Sequence, residues 1–285
     1  MENSFFESLL SALPTVSAHH SRGSKLYEVL QISARKEVEA SFSDKGDAPK
    51  KFGPFGEIVF PYYKMGAIDS LDLFNLDELI LFSFYHLNRG RYKRVADVGA
   101  NIGLHSVIFS KCGFEVRCFE PDPKTFEVLK RNLKANECSK VECHNMAVSV
   151  SEGKMEFVRV LGNTTGSHLA GSKANPYGEL ERFEVNLQPM NPLFAWADLV
   201  KMDVEGHEAT IITQTKKSHW EKTDGLIEIE NAKNAEEVFN HLNKEGVNLF
   251  SQKNNWKRVR ELSQMPVTYK EGMLFASCKT EMPWQ

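Results

Sequence analysis

Three features between residues 97 and 120 suggest a ligand site: a carboxylate, a glycine turn and a second carboxylate. Asp97 interrupts a short apolar run, and the turn that follows contains Gly99 and Gly103. Glu120 comes a little over twenty positions after Asp97, at the end of the next apolar run. In open parallel sheets, ligands lie beyond the carboxyl ends of the strands, where a helix N-terminus offers free N–H groups. The spacing therefore predicts a ligand site in this turn.

The composition of the turn indicates which ligand it favours. A dinucleotide site requires the pattern G-x-G-x-x-G, whose glycines admit a pyrophosphate and let the helix pack closely on the strand. Here Ala100, Asn101, Leu104 and His105 fill the other positions, so a ligand without a pyrophosphate is favoured. The carboxylate of Glu120 can accept hydrogen bonds from both hydroxyls of a ribose. A compact zwitterionic adenosine derivative fits both features, and S-adenosylmethionine is such a ligand.

A second group of ionisable residues follows the later apolar run ADLVKMDV. Asp203, Glu205, His207 and Glu208 lie close together there, and packing four such groups is costly unless solvent, a cation or a substrate joins them. A further run, GLIEIEN, carries Glu230 towards its open end. These residues indicate the reactive end of the same site.

The elements that must position these residues alternate between strands and helices. Core strands are predicted at residues 95–98, 115–119 and 141–144, in ADLVKMDV and GLIEIEN, and in the terminal runs VNLF and GMLFASC. Between them, one helix is predicted to end at Gly113 and another to begin at Pro123 after the N-cap Asp122. A later helix is predicted over residues 234–245 with Asn234 in its cap.

Three further segments surround this core. The pattern predicts a helix over residues 76–88, with Asn75 as its N-cap and Glu78 completing a capping box, which gives Glu78 a purely structural interpretation. Alternation at 151–160 and 181–187 predicts an added β-hairpin. The twenty or so residues between them lack periodicity, so we interpret them either as a lid over the acceptor, with Ser167 and His168 as contacts, or as disordered.

The overall composition disfavours several classes of partner. The 285 residues include 35 basic and 38 acidic side chains and no basic run, which argues against nucleic acid. We expect a cytoplasmic protein without stable membrane insertion, because no apolar run could span a bilayer and no basic leader is present. The five irregularly spaced cysteines disfavour disulfides and zinc. Homo-oligomerisation is left open.

Four motifs connect these features to a known family. The runs DVGANIG and FEPD resemble the opening of a class I methyltransferase. Together with NMAVSVSEG, GNTTGSHL and LVKMDVEGHEATII, they resemble the FkbM family over residues 91–232. The resemblance implies S-adenosylmethionine as cofactor and a Rossmann-like α/β fold with seven mostly parallel strands and helices on both faces. We expect an N-terminal extension and cap at 1–90, whose first 50 residues have no assigned chemistry, and a methyltransferase domain at 91–285.

The resemblance also implies roles for individual residues. Glu78 or Asn75 would accept from the ammonium group of the cofactor, and Asn145 and Ala147 would lie against its adenine. An asparagine after a strand is equally a common turn former. The residues expected to bind the cofactor are Glu78, Asp97, Gly99, Ala100, Asn101, Gly103, Glu120, Pro121, Asn145, Ala147 and Asp203.

Methyl transfer requires a nucleophile held in line with the methyl group, and a base where that nucleophile is a hydroxyl. The residues expected to carry the chemistry are Asp203, Glu205, His207 and Glu230. Histidine has the most suitable unperturbed pKa, about 6.5, although a histidine near a helix start is often structural. We assign no metal. The alternative is that Asp203, Glu230 and Asn231 hold Mg²⁺, which would orient and acidify a diol.

The resemblance implies O-methylation of a sugar hydroxyl on a glycan or glycosylated natural product, and less often N-methylation of a peptide amide. The four tryptophans could stack on a sugar, but scattered tryptophans more often belong to the core.

Two interpretations from other classes remain. A nicotinamide-dependent oxidoreductase is disfavoured by the missing glycines and the lack of a Tyr-x-x-x-Lys pair. A non-catalytic nucleoside-binding module is disfavoured because the carboxylates and glycines of the site are present.

Overall fold

The computed structural model describes residues 4–44, 46–66, 68–161, 166–172 and 178–284. The helices are α1 (Phe5–Ala12), α2 (Lys25–Phe42), α3 (Leu76–Leu87), α4 (Leu104–Lys111), α5 (Pro123–Ala135), α6 (Met190–Trp196), α7 (Glu208–Ile212), α8 (Lys217–Trp220) and α9 (Ala232–Lys244). The strands are β1 (Lys50–Lys51), β2 (Glu57–Ile58), β3 (Arg94–Val98), β4 (Glu115–Phe119), β5 (Val141–His144), β6 (Ala147–Ser149), β7 (Gly153–Val160), β8 (His168–Leu169), β9 (Leu180–Pro189), β10 (Leu199–Met202), β11 (Asp224–Ile227), β12 (Asn248–Ser251), β13 (Lys257–Arg258) and β14 (Leu274–Ser277).

The main sheet has the order β13-β12-β14-β11-β10-β3-β4-β5. Strands β5, β4, β3, β10 and β11 are parallel to one another, whereas β14 is antiparallel to both of its neighbours. The mostly parallel α/β sheet with a reversed strand confirms the predicted fold class. The predicted count of seven strands is wrong, because the two-residue strand β13 pairs with β12 as an eighth. A strand of two residues is too short to produce a detectable alternation.

Helices cover both faces of this sheet. Val95 and Leu199 point into a hydrophobic cluster that includes residues of α1 to α5, whereas their neighbours Ala96 and Val200 point into a second cluster with α6 to α9. Since successive side chains of a strand point to opposite faces, apolar residues at every position indicate a sheet buried on both sides. The first cluster extends from Phe6 to Trp284, so the N-terminal extension shares its core with the sheet.

Most predicted helix boundaries are confirmed. Asp122 caps α5 by accepting from the N–H of Lys124 (2.8 Å), and Gly113 follows α4 with a left-handed φ of +88°. The predicted start at residue 234 is wrong: α9 begins at Ala232, and Asn231 is the N-cap, since its Oδ1 accepts from the N–H of Asn234 at 3.0 Å. Two asparagines three positions apart offered alternative caps, and the sequence pattern favoured the second.

A smaller sheet of order β6-β9-β7-β8 packs beside the main one. The antiparallel pair β7 and β9 confirms the predicted hairpin. The segment between them was predicted to lack structure, but His168 and Leu169 form strand β8 against β7. Residues 162–165 and 173–177 of the predicted lid lie outside the described residues. Within the described ranges, none of the helices is both long and apolar enough to cross a membrane.

Candidate cofactor and acceptor site

A cavity of about 640 Å³ lies where β3, β4, β10 and β11 end. Its floor includes Gly99, Glu120 and Asp203, which follow three of these strands. Residues of the N-terminal extension and of β8 line its other sides. The glycine turn and the carboxylate of Glu120 therefore belong to one cavity, at the place where parallel sheets bind their ligands.

The turn after β3 requires glycine at its first position. Gly99 has a φ of +80°, and a Cβ built there would lie 1.7 Å from the carbonyl oxygen of Asp203. No side chain fits such a gap, so Gly99 allows the ends of β3 and β10 to approach each other closely. Asn101 also has a positive φ, of +50°, which is uncommon outside glycine and occurs often at functional sites.

Glu120 is held by two backbone N–H groups. Its Oε2 accepts from the N–H of Asn101 at 3.0 Å, and its Oε1 accepts from the N–H of Asp122 at 2.8 Å. Burial raises the pKa of Glu120 to about 8; the two N–H donors oppose this rise, while the negative charges of Asp122 and Asp203 add to it. A ligand that donates hydrogen bonds to this carboxylate would favour its ionised form.

Asp97, Ala100 and Gly103 shape the turn but are not among the residues that line the cavity. Asp97 is buried, and its Oδ2 accepts from the hydroxyl of Ser106 at 2.6 Å. The N–H of Ala100 donates to the carbonyl of Phe119, while Gly103 lies against the side chain of Leu129. These three residues support the site from beneath.

Lys201 is a buried cation beneath the cavity that the sequence analysis did not single out. It pairs in the sheet with Asp97, and its Nζ lies 3.4 Å from Oδ2 of Asp203. Burial alone would lower the pKa of Lys201, but the carboxylates of Asp203, Asp97, Glu78 and Glu228 raise it above its usual value. The sequence did contain a signal for Lys201. It is a lysine inside the apolar run LVKMDV, two positions before Asp203 and hence on the same face of the strand.

Three buried oxygen atoms in the cavity lining accept no hydrogen bond from the described residues: Oδ1 of Asp203, Oδ1 of Asn101 and Oε2 of Glu78. Buried acceptors are normally satisfied, so each such atom requires an explanation. An ammonium group provides three N–H donors and a positive charge, which suits these oxygens. These residues therefore fit the amino-acid end of S-adenosylmethionine, and Glu120 fits its ribose.

The helix α3 brings Glu78 to the same cavity. Asn75 caps α3 as predicted, accepting from the N–H groups of Asp77 (2.8 Å) and Glu78 (3.3 Å). The predicted capping box also requires the Glu78 side chain to accept from the N–H of Asn75. That part of the prediction is wrong, because the N–H of Asn75 donates to the carbonyl of Asp72. Instead, Oε2 of Glu78 lies 2.9 Å from Nε2 of His105. Glu78 therefore faces the cavity rather than its own helix terminus.

The residues after β5 divide between lining and support. Asn145 is not in the lining; its side-chain amide donates to the carbonyl groups of Glu120 (2.8 Å) and Pro121 (2.9 Å) and so fixes the loop after β4. Pro121 and Ala147 do line the cavity, as do Met146 and Val148, which were not predicted. The lining at this end is apolar enough for an adenine ring, while Asn145 supports it.

The glutamates at the reactive end lie beyond β10 and β11. Glu205, Glu228 and Glu230 line the cavity, and Glu205 has a φ of +54°. The strand predicted in GLIEIEN ends at Ile227, which places Glu228 and Glu230 after the sheet rather than within it. Burial raises the pKa of Glu228 well above its usual value, and the charges of Asp203 and Glu205 add to this shift while Lys201 opposes it.

His207 and Glu208 lie beneath this end of the cavity. The ring nitrogens of His207 lie 3.0 Å from the hydroxyl of Ser149 and 3.3 Å from that of Ser172, and burial lowers the pKa of the imidazole. Glu208 accepts from the N–H of Gly206 at 3.0 Å and is held by Asn234. Both residues fix the turn that carries Glu205.

The N-terminal extension contributes to the cavity, although no chemistry was predicted for it. Arg22 and Gln31 are part of the lining. Two nitrogens of the Arg22 guanidinium contact Oδ2 of Asp77, at 3.0 Å and 2.5 Å, and the hydroxyl of Tyr27 donates to Oδ1 of the same carboxylate at 2.9 Å. No periodicity distinguishes Arg22 from other surface arginines, so the sequence offered no signal for it.

The smaller sheet is fixed to the site by one buried ion pair. Arg159 on β7 contacts both carboxylate oxygens of Asp122, at 2.5 Å and 2.6 Å. Next to it, β8 places His168 in the cavity lining, while the hydroxyl of the adjacent lining residue Ser167 accepts from the N–H of Val160. This sheet therefore forms one wall of the cavity.

The remaining predictions concern tryptophans and metals. Trp220, Trp256 and Trp284 are buried in the core, and Trp196 lies beneath the guanidinium of Arg117 at 4.4 Å. Among the described residues, no group of three or more His, Cys, Asp or Glu side chains could hold a metal ion. Asn231, part of the alternative Mg²⁺ arrangement, is the N-cap of α9.

Comparison with known proteins identifies the family of this chain. Two curated relatives are similar to about half of this chain. Methyltransferase sdnD of Sordaria araneosa is 28% identical over 166 residues, which are 47% of this chain and 64% of that protein. Methyltransferase 1 of Beauveria bassiana is 24% identical over 157 residues, 47% of this chain and 62% of that protein. The chain thus spans less than two thirds of the length of either relative.

Among solved structures, the cofactor-bound Rv0187 from MTB has a TM-score of 0.42 at 11% identity, covering 97% of this chain and 99% of that one. The O-methyltransferase from Bacillus cereus in complex with SAH has a TM-score of 0.39 at 8% identity, covering 70% and 80%. Residues 97–260, more than half of the chain, match the methyltransferase FkbM domain. The chain therefore belongs to the FkbM methyltransferase family.

Proposed function

We propose that this protein binds S-adenosylmethionine and transfers its methyl group to a hydroxyl of a sugar, on a glycan or a glycosylated natural product. The observation that carries the proposal is the joint position of Glu120 and Asp203 in one cavity, the first held by the amide of the glycine turn and the second with a buried oxygen lacking a described partner. Membership of the FkbM family supports methyl transfer as the reaction class.

The cofactor-binding residues of the proposal follow from the contacts. Glu120 would accept from the ribose hydroxyls, and the apolar residues around Ala147 would contact the adenine. Asp203, Asn101 and Glu78 would accept from the ammonium group. The sulfonium of S-adenosylmethionine supplies an activated methyl group with a good leaving group. S-adenosylmethionine carries a net positive charge. That charge suits the described lining, in which acidic side chains outnumber the one arginine, Arg22.

The protein's own contribution to the chemistry is to orient the acceptor and to remove its proton. Glu205, Glu228 and Glu230 are the proposed base candidates, because all three line the cavity beyond the strands that hold the cofactor. The raised pKa of Glu228 makes its ionised form a stronger base than that of an exposed glutamate. His207 is left out of this role, since both of its ring nitrogens lie against serine hydroxyls outside the lining.

The acceptor would bind between these glutamates and the roof formed by residues 1–90, which we propose as an extension that caps the domain at 91–285. Arg22, Gln31 and Tyr269 line that side of the cavity. Hydroxyl groups can both donate to glutamates and accept from a guanidinium, so this mixture of polar groups suits a polyol. N-methylation of a peptide amide remains the alternative.

Mass spectrometry tests the proposed reaction. The full chain is incubated with S-adenosylmethionine and a panel of free sugars, glycolipids and peptides, and each acceptor is examined for the mass of one added methyl group. We expect the gain on a sugar or glycolipid, with S-adenosylhomocysteine formed in equal amount. A gain on peptides alone would contradict the sugar acceptor and support the alternative.

A further inference from the structure

The cavity carboxylate Glu78 is the end of a chain of polar side chains that crosses two helices. The hydroxyl of Tyr85 lies 3.0 Å from Nδ1 of His105, and Nε2 of His105 lies 2.9 Å from Oε2 of Glu78. Tyr85 and Glu78 belong to α3, whereas His105 lies in the first turn of α4, directly after the glycine turn. Only Glu78 of the three lines the cavity.

We infer that Tyr85 and His105 act as positioning residues, which fix Glu78 as an ionised acceptor for the ammonium group of the cofactor. This inference rests on the proposed function, since it assigns a specific task to the cofactor end of the same cavity. Neither Tyr85 nor His105 is expected to touch the cofactor. Their effect is transmitted through the orientation of one carboxylate.

The chemistry of the three groups gives the chain a single direction. An ionised carboxylate only accepts hydrogen bonds, so the proton of His105 that faces Glu78 must be on Nε2. In a neutral imidazole Nδ1 is then an acceptor, and the hydroxyl of Tyr85 donates to it. The tautomer of a neutral His105 is therefore determined by its two neighbours.

The electrostatics of the two ends agree with this direction. Burial raises the pKa of the Tyr85 hydroxyl well above its usual value, so that the phenol keeps the proton that it donates. Burial would also raise the pKa of Glu78, but the contact with His105 and the positive charges of Lys201 and Arg22 outweigh burial and lower this pKa below its usual value. Glu78 is thus ionised at neutral pH, as the chain requires.

Packing prevents the imidazole from rotating away. The His105 ring lies edge-on to Phe82, with ring centres 5.1 Å apart, and 6.2 Å from Phe109. Tyr85 packs on Phe109 at 4.3 Å. Oε2 of Glu78 lies 2.9 Å from Nε2 of His105 but accepts no hydrogen bond from the described residues, so this oxygen is available to a donor of the cofactor. A carboxylate held this way loses little rotational entropy when a ligand binds, which favours affinity.

Calorimetric titration of the full chain with two nucleosides tests the inference. S-adenosylhomocysteine carries the ammonium group, whereas 5′-methylthioadenosine has the same adenosine without the amino-acid tail. We expect His105→Phe to weaken S-adenosylhomocysteine about tenfold or more, because a hydrogen bond to a charged group is lost or misdirected. Binding of 5′-methylthioadenosine is expected to stay within twofold of the wild type.

Two further variants separate positioning from packing. His105→Gln retains an N–H donor near the position of Nε2, so it is expected to recover most of the affinity that His105→Phe loses. Tyr85→Phe leaves the His105 tautomer undetermined and is expected to weaken S-adenosylhomocysteine selectively, by a smaller factor. His86→Gln, a histidine of α3 that contacts Phe55 instead, is the matched control and should change neither affinity.

Equal losses for both nucleosides in every folded variant would overturn the inference, since they would show a purely structural role. Unchanged affinity for S-adenosylhomocysteine in His105→Phe and Tyr85→Phe would also overturn it. If the wild-type protein binds neither nucleoside, the proposed function fails and the inference fails with it. If the wild type binds both nucleosides but no variant weakens S-adenosylhomocysteine selectively, the inference is overturned and the proposed function is not.

Discussion

Glu120 is the residue on which recognition of the nucleoside depends. Its two carboxylate oxygens each accept one hydrogen bond from a backbone N–H, of Asn101 and of Asp122. Each oxygen can accept a further hydrogen bond from a ligand. The residue is 7% exposed, and burial raises its pKa to about 8. Glu120 is therefore oriented before a ligand arrives, but it is not fully ionised at neutral pH until donors reach it.

The first prediction concerns Glu120→Gln. The amide cannot accept on both sides, and it presents N–H groups to backbone donors, so we expect the affinity for S-adenosylhomocysteine to fall at least tenfold, about 1.4 kcal/mol or more. Calorimetry measures this loss. Glu115→Gln, an exposed glutamate at the opposite end of the same strand, serves as the control and should bind normally. Normal binding by Glu120→Gln would exclude the assigned ribose contact.

A second prediction concerns the pH dependence of binding. Because the ionised form of Glu120 binds the ribose and its pKa is about 8 in the free protein, affinity for S-adenosylhomocysteine should rise between pH 6 and pH 8. The limit of this rise is about tenfold per pH unit. Titrations at several pH values measure it, and Glu120→Gln should flatten the profile. An affinity that falls over this range would contradict the assignment.

A third prediction identifies the base. Glu205→Gln, Glu228→Gln and Glu230→Gln are compared in turn, and one of them is expected to lower kcat by about 10²- to 10⁴-fold, the usual contribution of a general base. Affinity for S-adenosylhomocysteine should stay within about threefold, since these residues lie towards the acceptor. The measurement requires an acceptor from the mass-spectrometric panel. Full activity in all three variants would show that proton removal does not depend on them.

At the scale of elements, the sequence predicted what local patterns encode. The strand before Gly99, the helix capped by Asp122 and the hairpin of β7 and β9 each have a periodicity or a cap, and all three are confirmed. Strand β8 has two residues and depends on pairing with β7, so no local pattern reveals it. Local signals of this kind cannot show pairing between distant segments.

The site residues that follow core strands were also predictable from the sequence. Gly99, Glu120 and Asp203 follow strands, and the edge of a parallel sheet brings such residues together. Packing of the residues before β3 brings Arg22 to the cavity and Tyr85 to His105 behind it, and no spacing in the sequence encodes this packing. His207 illustrates the opposite case, because sequence proximity to Asp203 placed it in the predicted set although its ring lies among serines.

The fourth prediction tests the close approach of β3 and β10. Gly99→Ala would place a methyl group 1.7 Å from the Asp203 carbonyl oxygen and is expected to lower the free energy of unfolding by several kcal/mol or prevent folding. Gly113→Ala is the matched control, because Gly113 also has a positive φ but open space around it. That variant should cost only about 1 kcal/mol. Equal losses in thermal or urea unfolding would contradict the steric argument.

At the scale of the whole molecule, the free protein retains a set of carboxylates whose ionisation opposes folding. Burial raises the pKa of Glu120 to about 8 and that of Glu208 to about 7, and it also raises the pKa of Glu228 well above its usual value. Between the usual glutamate pKa and these values, the unfolded chain binds fewer protons than the folded protein. The free energy of unfolding therefore falls as pH rises through this window, by up to about 1.4 kcal/mol per pH unit for each group.

The fifth prediction follows from this sign. The ligand-free protein should have a higher melting temperature at pH 6 than at pH 8, and the increase caused by S-adenosylhomocysteine should be larger at pH 8, where its donors favour ionised Glu120. Thermal unfolding followed by circular dichroism measures both. Glu120→Gln should show a weaker dependence on pH. A melting temperature that rises towards pH 8 without ligand would contradict the assigned shifts.

The central claim is that one cavity holds the nucleoside and the amino-acid tail of S-adenosylmethionine. A crystal structure of the protein with S-adenosylhomocysteine tests it most directly. We expect the ribose hydroxyls within hydrogen-bonding distance of the Glu120 carboxylate and the ammonium group within reach of Asp203. A nucleoside bound away from Glu120, or an ammonium group pointing away from the glycine turn and Asp203, would contradict it.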